Sequence, residues 1–184
     1  MTGGYLMDVK LVKKAIKGNE QAFEKLIHLE SEKLYRTAFL YVRNKEDALD
    51  VVQETVCKAF TSISRLKKPE YFSTWLIKIL IHTAYSILKK QNRLVLTGDD
   101  FLDHSLISEQ SDIEGRIDLI TAVSSLNQHY QTVIILFYFQ GQSIKMIADT
   151  MDTPEGTVKT YLHRAKLELR KLLEGVNQVG QKMV

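Results

Sequence analysis

Lys159, His163, Lys166 and Arg170 recur three and four residues apart within Thr153–Leu173, TPEGTVKTYLHRAKLELRKLL. On a helix turning about 100° per residue they fall into one cationic stripe. Val158, Leu162, Ala165, Leu169 and Leu172 share that period and form an apolar stripe, roughly a quarter-turn or a little more away. Thr160, Arg164 and Lys171 widen the polar face. The chemistry such a helix offers is attraction of a polyanion rather than bond breaking. Its start is expected to be abrupt, with the Thr153 hydroxyl as N-cap and Pro154 at the first helical position. Gly156 in the first turn costs up to about 1 kcal/mol relative to Ala, which close approach of a phosphate to the backbone would justify. A solvated basic face on an ordinary helical hairpin shares this stripe, so the preceding residues matter.

Those residues, Gln142–Met151, read as a short helix capped by Ser143, with Ile144, Ile147, Ala148 and Met151 apolar. Asp152 and Thr153 leave room only for a tight turn. Two helices so joined form a helix-turn-helix, whose second helix enters the DNA major groove.

Two further faces carry recurring charge or aromatics. In KEDALDVVQETVCKAFTSI, capped by Asn44, the residues Asp47, Asp50 and Glu54 fall within a narrow arc flanked by Gln53. They oppose Ala48, Val51, Val52, Val56, Ala59, Phe60 and Ile63. The arc serves equally as a solvated acidic face or as a docking face for a basic protein. In the helix TWLIKILIHTAYSILKK, Leu76, Ile79, Leu80, Thr83 and Ile87 form one side, and Trp75, Lys78, His82, Tyr85, Ser86 and Lys89 the other. Rings interleaved with cations suit single-stranded nucleic acid, because rings stack on bases and cations meet phosphates. Ser73 is the expected N-cap, with Phe72 and Ile77 as a hydrophobic staple, so Phe72 is expected in the core. The basic loop SRLKKPEYFS, Ser64–Ser73, precedes it.

No catalytic constellation emerges. The five His and the carboxylates lack partners at the spacings of a nucleophile or a metal site, and no glycine loop cradles phosphate. Asp99, Asp100 and Asp103 lack the framework of a calcium loop. No cofactor, metal or small-molecule substrate is expected. The single Cys57 excludes an internal disulfide and points to a reducing compartment. Without a signal peptide or a membrane-spanning apolar run, a cytoplasmic protein is expected.

The charge is unevenly placed. Residues 1–91 hold 16 Lys/Arg against 10 Asp/Glu, residues 92–116 hold 2 against 6, and residues 117–184 hold 7 against 6. With two prolines and long stretches of 3.6 period, the chain reads as all-α, two small helical domains joined by a flexible acidic linker. Met1–Leu6 reads as an unstructured start, with Met7 as an alternative initiation point. Asp8 caps a helix that ends at Gly18, and Asn19 caps a long one to about Val42 with Phe23, Leu26, Ile27, Leu34, Ala38 and Tyr41 as its core face. After the linker, Ile117–Leu126 and Gln128–Gln140 form two helices behind the helix-turn-helix, and the tail frays from Gly175.

DALDVVQETVCKAF, YFSTWLIKIL and PEGTVKTYLHRAK, in this order and at these separations, resemble the extracytoplasmic-function (ECF) group of the sigma-70 family of bacterial sigma factors. The resemblance spans about residues 8–174. It implies a sigma region 2-like domain at 8–91, a linker at 92–115 and a region 4-like domain at 116–175. It further implies docking of Asp47, Asp50, Gln53 and Glu54 on core RNA polymerase. Reading and opening of the promoter −10 element is implied for Lys67, Lys68, Tyr71, Phe72, Trp75, Lys78, His82, Tyr85 and Lys89, with capture of a flipped base. Lys159, Thr160 and His163 match base-reading positions for the −35 element, and Thr157, Arg164 and Lys166 match phosphate contacts. The linker would thread toward the polymerase active-site channel. The implied partners are core RNA polymerase, promoter DNA and an anti-sigma factor, often membrane-anchored in this family. His82 and Ser86 stand where many members carry Asn and Asp, and Met146 where a Glu often completes the capping box. A stand-alone helix-turn-helix regulator is the alternative, and the acidic helix argues against it.

Overall fold

The computed structural model describes the backbone of residues 8–97 and 114–180, with side chains for 8–90 and 119–174. The expected unstructured start and Asp99, Asp100 and Asp103 lie outside these residues, as does most of the expected linker. The described chain is helical throughout, with α1 Val9–Ile16, α2 Glu20–Val42, α3 Lys45–Ser62, α4 Phe72–Thr97, α5 Glu114–Ser125, α6 Gln128–Ile134, α7 Ile144–Met151 and α8 Glu155–Gly180. Single 3₁₀ turns at Ile63–Arg65 and Pro69–Tyr71 lead from α3 into α4. α4 extends to Thr97 and α5 begins at Glu114, so helix enters both ends of the expected linker. α8 continues past Gly175, the expected start of fraying.

Five helix starts arise from short polar side chains that satisfy first-turn N–H groups, among them α6, where Asn127 Oδ1 accepts from Tyr130 N at 3.1 Å. Asp8 Oδ1 accepts from Lys10 N at 2.9 Å, Asn19 Oδ1 from Ala22 N at 2.8 Å, Asn44 Oδ1 from Glu46 N at 2.7 Å, and Ser143 Oγ from Met146 N at 3.3 Å. Gly18, at φ +90°, supplies the left-handed residue that ends α1. Two expected caps are corrected. Thr153 Oγ1 donates back to Met151 O, and the Pro154 carbonyl opens α8 by accepting from Thr157 and Val158 N–H groups. α4 begins one residue before Ser73, whose hydroxyl donates to Glu30 Oε1.

The chain divides into two compact units. The first comprises residues up to Phe39 together with Asn44–Ala84. Its core holds Val12, Leu26, Leu34, Val51, Phe72, Leu76, Ile77 and Leu80, each at 0% exposure. Burying each of the larger of these contributes about 1.5–3 kcal/mol. Phe23 on α2 meets Phe60 on α3 edge-on at 5.3 Å, and Lys58 Nζ donates to Thr83 Oγ1 on α4 at 3.2 Å.

The second unit takes in Leu40–Arg43 and the chain from Tyr85 onward. Here α5, α6 and α7 pack on α8 around Val123, Val133, Ile134, Ile135, Leu136, Ile147, Val158 and Ala165. α6 does not run as one α-helix to Gln140. Ile135–Phe139 form a π turn, closed by a bond from Gln140 N to Ile135 O. Gly141, at φ +62°, then turns the chain toward Ser143.

Candidate nucleic-acid interface

The cationic and apolar stripes of α8 separate in space. Val158 and Ala165 are fully buried and Leu162 and Leu169 nearly so, while Lys159, Thr160, His163, Arg164, Lys166 and Arg170 are exposed and Thr157 is half-buried. The turn before α8 is set by Asp152, which takes a left-handed φ of +50° while its N–H bonds to Ala148 O. Asp tolerates this conformation better than most non-glycine residues. The rotation of α8 is fixed by Tyr161, whose ring lies 5.3 Å from His129 and 5.9 Å from Tyr130 on α6. The periodicity of α8 gave no sign of this aromatic clamp, because its partners lie on another helix. Gly156 has a backbone conformation open to any residue, and a Cβ there would meet nothing within 4 Å. The fold itself therefore does not need this glycine.

On α3, Asp50, Gln53 and Glu54 are exposed and Asp47 is half-buried. Glu54 pairs with Lys58 at 3.2 Å, one turn along the helix. Val52 and Val56 are only half-buried and Phe60 is 48% exposed, so the apolar side is narrower than expected. The buried residue that periodicity missed is Thr55, whose hydroxyl donates to Val51 O at 2.6 Å.

The residues expected to meet the −10 element divide three ways. Lys67, Lys68, Tyr71, His82 and Lys89 are exposed, and the Lys68 ammonium lies 5.6 Å from the centre of the Tyr71 ring. Trp75 and Lys78 are half-buried. Phe72 is a correction: its side chain is fully enclosed in the first unit, 5.9 Å from the Trp75 ring, and presents no surface to a ligand. Tyr85 also turns away from an open face, into the second unit. Its hydroxyl lies 3.0 Å from Gln128 O and 3.1 Å from Thr132 Oγ1, and its ring meets Tyr41 edge-on at 5.2 Å. Burial, partly offset by the Thr132 bond, pushes its pKa up to about 12. Tyr41 is also displaced upward, by burial first and by Tyr85 second.

What the chain offers is two exposed cationic surfaces, one on the second helix of a helix-turn-helix and one with exposed or half-exposed rings, together with an acidic helix face. Family models match over both units: Sigma-70 region 2 at residues 26–94 and Sigma-70, region 4 at residues 116–169. The chain is 38% identical over 131 residues to RNA polymerase sigma factor SigV of Bacillus subtilis (strain 168), covering 71% of this chain and 78% of that protein. It is 26% identical over 187 residues to ECF RNA polymerase sigma factor SigW of the same organism, covering 91% and 97%. Among solved structures, the sigma factor RpoE of Bartonella quintana, crystallised with the anti-sigma factor NepR, superposes with a TM-score of 0.68 at 25% identity, covering 83% of this chain and 96% of that one. The all-α fold in two sigma-region domains and these matches agree, and the chain belongs to the sigma-70 family as an RNA polymerase sigma factor of the ECF group.

Proposed function

We propose that this sigma factor divides its contacts between its two domains. Residues 8–91 dock on core RNA polymerase through Asp50, Gln53 and Glu54, with Asp47 beside them, and read the −10 element through Lys67, Lys68, Tyr71, Trp75, Lys78, His82 and Lys89. Residues 116–175 read the −35 element, with Lys159, Thr160 and His163 on base edges and Thr157, Arg164 and Lys166 on phosphates. Residues 92–115 connect the two. The observation that carries the assignment is the separation of α8 into a buried apolar face and an exposed cationic one at the second helix of a helix-turn-helix.

The mechanism is differential binding without a chemical step. Phosphate contacts supply salt-dependent affinity, and base-edge contacts supply choice. Exposed rings beside cations, as at Lys68 and Tyr71, suit the separated strand at −10. Among the described residues no helix is long and apolar enough to cross a membrane. Work beside RNA polymerase implies a cytoplasmic protein, and the anti-sigma-bound relative supports control by an anti-sigma protein.

The test is capture of core RNA polymerase by the native chain and by an Asp50→Arg, Glu54→Arg variant. Capture is expected from the native chain and lost on charge reversal. Equal capture by both moves the docking surface off α3.

A further inference from the structure

Among the described residues, the first unit holds one buried acidic group, and the assigned contacts leave it unused. Glu30, on α2, is 8% exposed. Its Oε1 accepts the Ser73 hydroxyl, while Oε2 is enclosed and has no hydrogen-bond partner. A carboxylate removed from water and held by one neutral hydroxyl is a poor arrangement for stability, and an aliphatic side chain of similar volume avoids the cost. Its position suggests what the fold gains in exchange.

Ser73 is the second residue of α4. Immediately before it stand Phe72, anchored in the core, and the 3₁₀ turn Pro69–Tyr71, which carries one half of the Lys68–Tyr71 pair. Two residues after it stands Trp75, in ring contact with Phe72. The Glu30–Ser73 bond thus ties α2 to the junction between the loop and the helix. Without it, Ser73 would be free to cap the helix with its own side chain, and the turn would lose its one side-chain tie to α2 among the described hydrogen bonds.

We propose that Glu30 is a positioning residue for −10 recognition: through Ser73 it fixes the start of α4, and with it the placement of Tyr71 and Trp75. The proposal rests on the assignment of −10 contacts to this loop and helix. It separates stability from recognition, because removing the buried carboxylate relieves the fold while loosening the reader.

The experiment uses the full chain assembled with core RNA polymerase. One probe is a fork-junction DNA whose single-stranded −10 segment has been selected from a random pool by the native holoenzyme; the other is a −35 duplex selected in the same way. Glu30→Leu combined with Ser73→Ala removes both partners together. The expected result is a melting temperature no lower than native, −10 affinity reduced about three- to tenfold, the range set by the net worth of one hydrogen bond, and unchanged −35 affinity. Glu30→Gln keeps the acceptor and is expected to bind the −10 probe within about twofold of native, well inside that hydrogen-bond range. Should the double variant fold poorly, Ser73→Ala alone makes the same comparison, with the same selective −10 loss expected.

Unchanged −10 affinity in a folded double variant overturns the proposal, as does a Glu30→Gln loss equal to that of the double variant. A Tyr71→Ala, Trp75→Ala control separates the two layers. If that control binds the −10 probe normally, the −10 assignment falls and the proposal with it. If the control is weakened and the Glu30 variants are not, only the role of Glu30 falls.

Discussion

The two surfaces proposed to face DNA are built on opposite plans. α8 packs one side against α5, α6 and α7 and leaves the other open, so its 3.6 period sorts residues directly into core and surface. The loop and α4 are gripped from several directions: Phe72, Leu76, Ile77 and Leu80 are at 0% exposure, and Trp75 and Lys78 are half-covered. Ser73 and Tyr85 are drawn toward partners 43 to 47 residues away. A reader on a one-sided helix can be exchanged residue by residue. A reader embedded in its own core couples recognition to packing, and changes there are felt in stability as well as in binding.

The sharpest way to break this contrast is Phe72→Ala. Deletion of a fully buried ring is expected to cost about 3–5 kcal/mol, measured by denaturant unfolding, with −10 recognition lost as a consequence. A Phe72→Ala chain of native stability that nonetheless fails at −10 would return Phe72 to the DNA surface. On α8 the expected effects are smaller and confined to binding. Lys159→Ala should cost about 1–3 kcal/mol at one −35 position if the ammonium reads a guanine. Lys166→Ala should weaken all sequences alike and lower the salt slope by about 1. Binding titrations across single-base variants and salt concentrations separate the two.

Tyr85→Phe tests whether its hydroxyl serves the fold. Unfolded tyrosine ionises near pH 10, while burial holds the Tyr85 hydroxyl protonated to about 12. Its contribution is therefore complete below pH 10 and is lost as pH rises through 12. Thermal melts from pH 9 to 12 should fall less steeply for the variant. An unchanged slope would show that burial does not hold the Tyr85 hydroxyl protonated. The smallest effect is expected from Gly156→Ala. With nothing within 4 Å of the new Cβ, the helix gains up to about 1 kcal/mol, and −35 affinity drops if a phosphate lies against that turn. A stabilised variant with native affinity would remove the reason proposed for this glycine.

Much of the fold is written locally. Asp8, Asn19, Asn44 and Ser143 cap as short polar residues before apolar periods should. Thr153 and Ser73 mislead because a hydroxyl donates as readily as it accepts, and each found a better acceptor, Met151 O in one case and the Glu30 carboxylate in the other. The buried polar residues Thr55, Gln131 and Thr132 escape a hydropathy reading because hydrogen bonds, several from other helices, offset their burial. The stripe on α8 was legible in full. The proposed −10 surface was legible in its exposed cations and Tyr71, and the burial of Phe72 in its staple position; Tyr85 was not, because its orientation depends on packing against another helix. The π turn carries no local signature in ILFYF.

That π turn gives the second unit one residue of slack. In a regular helix every residue added or removed swings the rest of the chain by about 100°. A π turn holds an extra residue inside the helix instead of passing it on, and here it leaves Tyr138 56% and Phe139 43% exposed, clear of the core. Loss of one of these two would let α6 close into an ordinary helix, with Gly141, Ser143 and the bearing of α8 conserved. The same loss within Gln128–Ile134 would re-aim everything downstream. A one-residue deletion is therefore expected to be tolerated at one end of α6 and not at the other.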